Sequence, residues 1–199
     1  MRTYDGTRGH AEDLLFAVEG ALTDAGATRA DVAAVAVSVG PGSFTGVRVA
    51  VSTAKGLALA QRVAIVSLTS LEIIAAGHEF PSGTRVALLD ARRGEVYAAA
   101  FDAFLTPVGA AALLRVDALP TWLATLPAPV LVLGDGAALV PHQGAGIELA
   151  PSLPDAAVLA RLGLARLREG RLSDPASLEP AYLRAPDVTL PASRGLPIG

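Results

Sequence analysis

Residues 40 to 46 read Gly40, Pro41, Gly42, Ser43, Phe44, Thr45 and Gly46, a glycine-rich run between an apolar segment of strand length and a long apolar stretch of helical composition. A strand, glycine turn and helix in that order can aim backbone N–H groups at an anion. The same glycines also let two backbones approach closely, because no side chain intervenes. Two nucleotide-loop templates fail here. A Walker A loop ends Gly-Lys-Ser/Thr, but Gly46 is followed by Val47 and Arg48; a dinucleotide fingerprint needs a glycine-like residue where Thr45 stands. A tight structural turn is the simpler reading. The densest polar group is Asp90, Arg92, Arg93 and Glu95. It reads either as a site between two lobes, where arginines meet phosphate or a partner carboxylate, or as a solvated turn whose ion pairs are worth about 0–1 kcal/mol each. Nothing suggests covalent chemistry. His10, His78 and His142 lie far apart, with no His-x-x-x-His pair for a metal, and Ser43 lacks a nucleophile-elbow motif.

The elements that hold these groups follow from hydrophobic pattern. Val32 to Val39 is a nearly continuous apolar run, suited to a strand buried on both faces of a parallel sheet, and Ala64 to Leu68 is its only nearby parallel neighbour. Residues 9–25 carry an i, i+3, i+4, i+7 stripe through Leu14, Val18 and Leu22, ending at Gly26. The helix from Ser43 to Gln61 is apolar over most of its circumference. Its one wet stripe is Thr45, Arg48, Ser52 and Lys55, while Gly46, Ala50, Ala54 and Leu57 make a row of mostly small side chains. Such a helix must be covered on more than one side, and the small row suits a second helix packed closely against it.

After Pro81, Ser82 and Gly83 a second unit begins. Val86 to Ala91 and Glu95 to Phe104 read as a hairpin around Arg92, Arg93 and Gly94, and Val130 to Leu133 as a further buried strand. Helices are expected at 118–126, with Trp122 in the core, and at 155–169, capped by Asp155. The 137–152 stretch, rich in proline and glycine, is expected to be an irregular loop. The domain boundaries are therefore 1–82, 83–185 and a flexible tail at 186–199.

Composition narrows the classes. The chain has 199 residues, no cysteine and a formal net charge of −3, so disulfides, thiol catalysis and a global positive field for RNA are excluded. No apolar run reaches membrane-spanning length without a charge, and the start lacks a signal-peptide pattern, so a soluble cytoplasmic protein is expected.

Four ordered blocks carry a family resemblance: Arg8 to Glu12; Gly40 to Arg48 with Ala54 to Ala58; Asp90 to Tyr97; and Pro180 to Arg184. Together they resemble the TsaB family, subunits of the bacterial machinery that makes threonylcarbamoyladenosine at position 37 of certain tRNAs. The resemblance implies an α/β fold of the two-lobed actin, sugar-kinase and Hsp70 type (ASKHA). It also implies a non-catalytic subunit pairing with a paralogous TsaD-like transferase through helices 10–25 and 43–61. Nucleotide and metal would belong to the transferase, leaving this chain with no cofactor or metal of its own. A TsaE-like ATPase would join the pair, tRNA would be met through the complex, and the isolated subunit would self-associate through a similar surface.

Leu14, Val18, Gly46, Ala50 and Ala54 are then the expected interface residues, with Arg48 and Lys55 at the rim. Family members usually begin with a hydrophobic strand and hairpin before the first helix. This chain starts already at the loop into that helix, so a shortened N-terminus and an incomplete first lobe are expected. The competing readings are a phosphotransferase of the same fold superfamily that binds nucleotide on its own, and a structural homodimer.

Overall fold

The computed structural model describes residues 10–141, 146–150 and 152–184. The expected tail at 186–199 and the block before His10 lie outside the described residues. In chain order the elements are helix α1 (His10–Asp24), strand β1 (Ala34–Ser38), helix α2 (Phe44–Gln61), strand β2 (Ala64–Leu68), helix α3 (Ser70–Ala76), strands β3 (Thr84–Arg92), β4 (Glu95–Phe101) and β5 (Ala112–Arg115), helix α4 (Leu119–Leu123), strands β6 (Val130–Leu133) and β7 (Ile147–Ala150), and helix α5 (Ala156–Arg168). They build a two-stranded parallel sheet, β1–β2, and a five-stranded mixed sheet in the order β5-β4-β3-β6-β7.

The larger sheet is antiparallel across β5, β4 and β3, and parallel across β3, β6 and β7. Alternation along β3 divides its core. Val86 and Leu88 point to one face with Val96, Val132 and α4 residues Leu119 and Leu123, while Ala87 and Leu89 point to the other with Leu131, Leu133 and α3 residues Leu71 and Ile74. Both faces are therefore covered. The hairpin turns through Arg93 and Gly94 with φ of 58° and 74°, positive at both as a two-residue type I′ turn requires. A register shift between Asp90 and Arg92, with Arg92 at φ 64°, bends the strand beside the turn.

In the smaller sheet α2 packs Val51, Ala54 and Ala58 onto Val37, Val39 and Ile65. On the opposite face α5 places Leu159 and Leu162 against Val66, Leu68 and Ile73. The approach of α5 is tight: a Cβ on Gly163 would sit 2.6 Å from the Ala36 Cβ, so glycine is required there. Arg166 of α5 pairs with Glu72 and donates to the Ser67 carbonyl at 2.6 Å, tying α5 to α3. Buried Arg85 donates to the carbonyls of Ala75, His78, Asp102 and Ala103, fastening the end of α3 to the loop after β4. Burial lowers its pKa, opposed by the nearby charges of Asp102 and Glu79.

Several expectations change. The stretch at 137–152 is not wholly irregular: β7 occupies Ile147–Ala150 and pairs in parallel with β6. Only four alternating residues carry that strand, too few to stand out beside proline and glycine. The 118–126 helix shortens to Leu119–Leu123, with Trp122 half-buried against the core. Strand β4 stops at Phe101 because Asp102 Oδ1 accepts from the amides of Phe104 and Thr106, turning the chain. β1 is not buried on both faces throughout. Within Ala34–Ser38 only Val37 is buried, and among the described residues β2 is the sole strand paired with β1.

Candidate functional site

The glycine turn and the hairpin tip face each other across a cleft of about 780 Å³, lined by Pro41 to Phe44, Ser70, Asp90 to Arg92, Tyr97, Asp135 and Pro180 to Arg184. On the turn side Gly40 adopts φ 92°, and a Cβ there would press within 3.3 Å of Val47. Its carbonyl accepts from the Ser70 amide at 2.7 Å, joining the turn to the start of α3. Ser38 and Ser70 hydroxyls meet at 2.8 Å beneath it. Ser43 is the N-cap of α2, its hydroxyl accepting from the Gly46 amide at 3.4 Å. These serine hydroxyls are thus engaged in holding the turn.

Across the cleft, Asp90 folds onto its own hairpin. Its Oδ1 accepts from the Arg92 amide at 2.7 Å, and its Oδ2 lies 3.1 Å from the Arg92 guanidinium. The Asp90 amide donates to Asp135 Oδ1 at 2.9 Å. Glu95 pairs with Arg184, whose other nitrogen donates to the Ala91 carbonyl at 2.8 Å. The structure thus brings Asp90, Arg92 and Glu95 to one tip, with Arg93 at the turn itself, and adds Arg184 and Asp135. Sequence reasoning missed both additions, although Arg184 ends one of the motif blocks. A contact across so many residues leaves no local periodic signal.

Arg48 packs against two residues of the cleft wall, Phe44 and Tyr182. Its Nε donates to the Tyr182 hydroxyl at 2.8 Å and its guanidinium lies 3.9 Å from the Phe44 ring centroid. The two aromatic rings are 5.7 Å apart. The Ala176 amide and then the Ser177 hydroxyl hold the Asp174 carboxyl below its ordinary range, and Lys55, about two helical turns beyond Arg48, adds its charge. Both cations therefore face the chain's own 172–184 segment. Among the described residues no three His, Asp or Glu side chains converge as metal ligands.

The α1–α2 surface is the second candidate. Leu14 and Val18 on α1, and Gly46 and Ala50 on α2, are half-buried. Ala54 is 4% exposed and belongs to the chain's own core, which corrects its assignment as an outward contact. It lies on the Val51–Ala58 face because that face covers the small sheet. The exposed apolar side chains are others: Leu15, Phe16, Phe44 and Leu59, the last at 80%. On α2 the open face runs through Thr45, Val49, Ser52, Gly56 and Leu59, opposite Val51, Ala54 and Ala58. No heavy atom lies within 4 Å of where a Gly56 Cβ would be. The signal that finds this face is an apolar or glycine position outside the stripe that a helix needs for its own core.

Two sheets flanking a cleft, the larger ordered β5-β4-β3-β6-β7, define an α/β protein of the actin, sugar-kinase and Hsp70 class. The family model "TsaD: tRNA N6-adenosine threonylcarbamoyltransferase" matches residues 5–131. An uncharacterized protein of Mycobacterium tuberculosis (strain ATCC 25618 / H37Rv) is 34% identical over 185 residues, covering 91% of this chain and 78% of that protein. The Escherichia coli (strain K12) tRNA threonylcarbamoyladenosine biosynthesis protein TsaB is 42% identical over 92 residues, 45% of this chain and 40% of that protein. The aligned part is thus less than half the length of the E. coli relative. A crystal structure from Pseudomonas aeruginosa, titled an uncharacterized protein with similarity to peptidase YEAZ, superposes with a TM-score of 0.75 at 30% identity, covering 89% of this chain and 85% of that one. The chain belongs to the TsaB/YeaZ family. Among the described residues, no helix is long and apolar enough to cross a membrane.

Proposed function

We propose that this chain is a non-catalytic, cytoplasmic subunit of the machinery that makes N6-threonylcarbamoyladenosine at position 37 of tRNA. It buries the α1–α2 surface against a TsaD-like transferase that carries the nucleotide and metal. A TsaE-like ATPase associates with the pair, and tRNA is met only through the assembly. The observation that carries this reading is the set of apolar side chains the two helices leave exposed, Leu15 at 43% and Phe16 at 50% on α1 and Leu59 at 80% on α2, three residues after an open Gly56. Large apolar side chains left exposed on two packed helices point to an association surface, and glycine in mid-helix permits a partner helix to approach closely. The kinship with a protein named for threonylcarbamoyladenosine biosynthesis supports the choice of pathway.

The test is reconstitution. The transferase and ATPase of the same cell should modify tRNA when this chain is added and fail when it is left out. The chain alone should show no ATP turnover. Modification at full rate without the chain would overturn the reading. The cleft of about 780 Å³ favours one alternative, an independent phosphotransferase, and ATP turnover by the chain alone would select it. A homodimer that the transferase cannot displace would select the structural reading.

A further inference from the structure

The segment from 172 to 184 leaves α5 and runs back across both sheets, touching each by a different means. Ser173 donates its amide to the Ile65 carbonyl at 2.9 Å, and its hydroxyl meets that of Ser67 at 2.8 Å. Leu178, 8% exposed, joins the core of the small sheet with Val37, Val51 and Ile65. The Ala181 amide donates to the Val39 carbonyl at 2.7 Å, beside the glycine turn. Tyr182 accepts from Arg48 of α2. Leu183 then packs against the core formed by Leu71, Leu89 and Phe101 under the large sheet. Arg184 ends the path on the hairpin, paired with Glu95 and donating to the Ala91 carbonyl.

Within seven residues the chain is thus fastened first to the small sheet, then to α2, then to the large sheet. We propose that residues 178–184 are a latch that fixes the two sheets relative to each other and sets the width of the cleft, with Arg184 and Glu95 as its catch. Their side chains are 23% and 31% exposed, so the pair is only partly screened by water. Charge-assisted hydrogen bonds in such a setting outweigh neutral ones. Arg48 makes α2 part of the same device, because a displacement of α2 pulls on Tyr182 through their hydrogen bond. The latch therefore links the helix surface to the cleft through side chains that the chain itself supplies. It is a property of the isolated chain and holds or fails whatever meets α2.

The test is a distance measurement in the full chain. Its sequence has no cysteine, so Ser52→Cys on α2 and Thr121→Cys on α4, both exposed, can carry spin labels at defined places. Pulsed electron resonance should give a narrow distribution for the otherwise unaltered chain. Adding Arg184→Gln should broaden it at least twofold, with far-ultraviolet circular dichroism unchanged. Tyr182→Phe, which keeps the ring and loses the bond from Arg48, should broaden it less. Hydrogen exchange at the Ala181 amide should be about tenfold faster in Arg184→Gln, the scale of losing a charged hydrogen bond, while Val132 in the large sheet keeps its rate. An unchanged distance distribution in both variants, with Ala181 exchange also unchanged, would overturn the latch. If Arg184→Gln does not fold, Tyr182→Phe decides by the same two readouts.

Discussion

The five-stranded and two-stranded sheets are written in much the same apolar alphabet and end in different surroundings. In the larger sheet Val86, Leu88, Val96 and Val132 are 0% exposed, closed in by α4 on one face and α3 on the other. In the smaller sheet β2 is just as closed, with Ile65 and Val66 at 1% exposure, but β1 keeps only Val37 buried and the helices beside it present Leu15, Phe16 and Leu59 outward. A hydrophobic run therefore states that a segment needs covering. It does not state whether the cover comes from the same chain. The contrast lies at the edge: the larger sheet is closed by its own helices, while β1 and the helices beside the smaller sheet stay partly open, on the side where we propose that a second polypeptide docks.

That contrast can be tested by removing matched side chains. Leu88→Ala empties a closed core and should cost about 3–5 kcal/mol, read from denaturant unfolding of the isolated chain. Leu59→Ala should stay within about 0.5 kcal/mol, as expected for an exposed site. A large loss at Leu59 would mean that the α2 surface is already occupied, by self-association or by the chain itself. Next in size is the Arg85 clamp. Arg85→Met leaves the carbonyls of Ala75, His78, Asp102 and Ala103 without their donor, and the loss should be about 3 kcal/mol. Arg85→Lys should recover part of it. An unaffected Arg85→Met protein would show that the junction of α3 with the large sheet is held by packing alone.

The smallest effect is acid sensitivity. The amide of Thr106, followed by that of Phe104, holds the Asp102 carboxyl below its ordinary range. A carboxylate whose pKa is lower when folded stabilises the protein above its unfolded pKa, and that stability fades as pH falls through the folded value. Stability should thus decline below about pH 5, and Asp102→Asn should decline less steeply than the unaltered chain. Asp174, held low by the Ala176 amide and Ser177 hydroxyl beside the small sheet, should behave likewise under Asp174→Asn. A steep acid decline that neither substitution softens would place the sensitivity elsewhere.

Much of this architecture was legible in the sequence where local signals agree. The α1, α2, β2 and α5 segments stand where the hydrophobic pattern put them, with Asp155 at the cap expected of it, while Ser43, read as the first residue of α2, is its N-cap. The hairpin followed from Arg93 and Gly94 between alternating strands. What escaped depends on distant pairing. α3 is a seven-residue helix whose burial comes from both sheets, and β7 is strand only because β6 lies beside it. At the sites, periodicity showed that α2 is apolar on several sides without telling which side the chain keeps. Ala54 therefore looked available although it is core, and Gly56, exposed on the opposite face, passed as ordinary helix. Arg184 entered the cleft through a bond that spans the fold.

The central claim is that the open face of α2 is made to receive a second protein, and Gly56 tests it most directly. Arginine there meets empty space in the isolated chain and improves helix propensity by about 0.5–1 kcal/mol, so Gly56→Arg should leave stability equal or higher. Titration calorimetry against the TsaD-like transferase should then show affinity at least tenfold weaker than for the unaltered chain. Equal affinity in a folded Gly56→Arg protein would contradict the account.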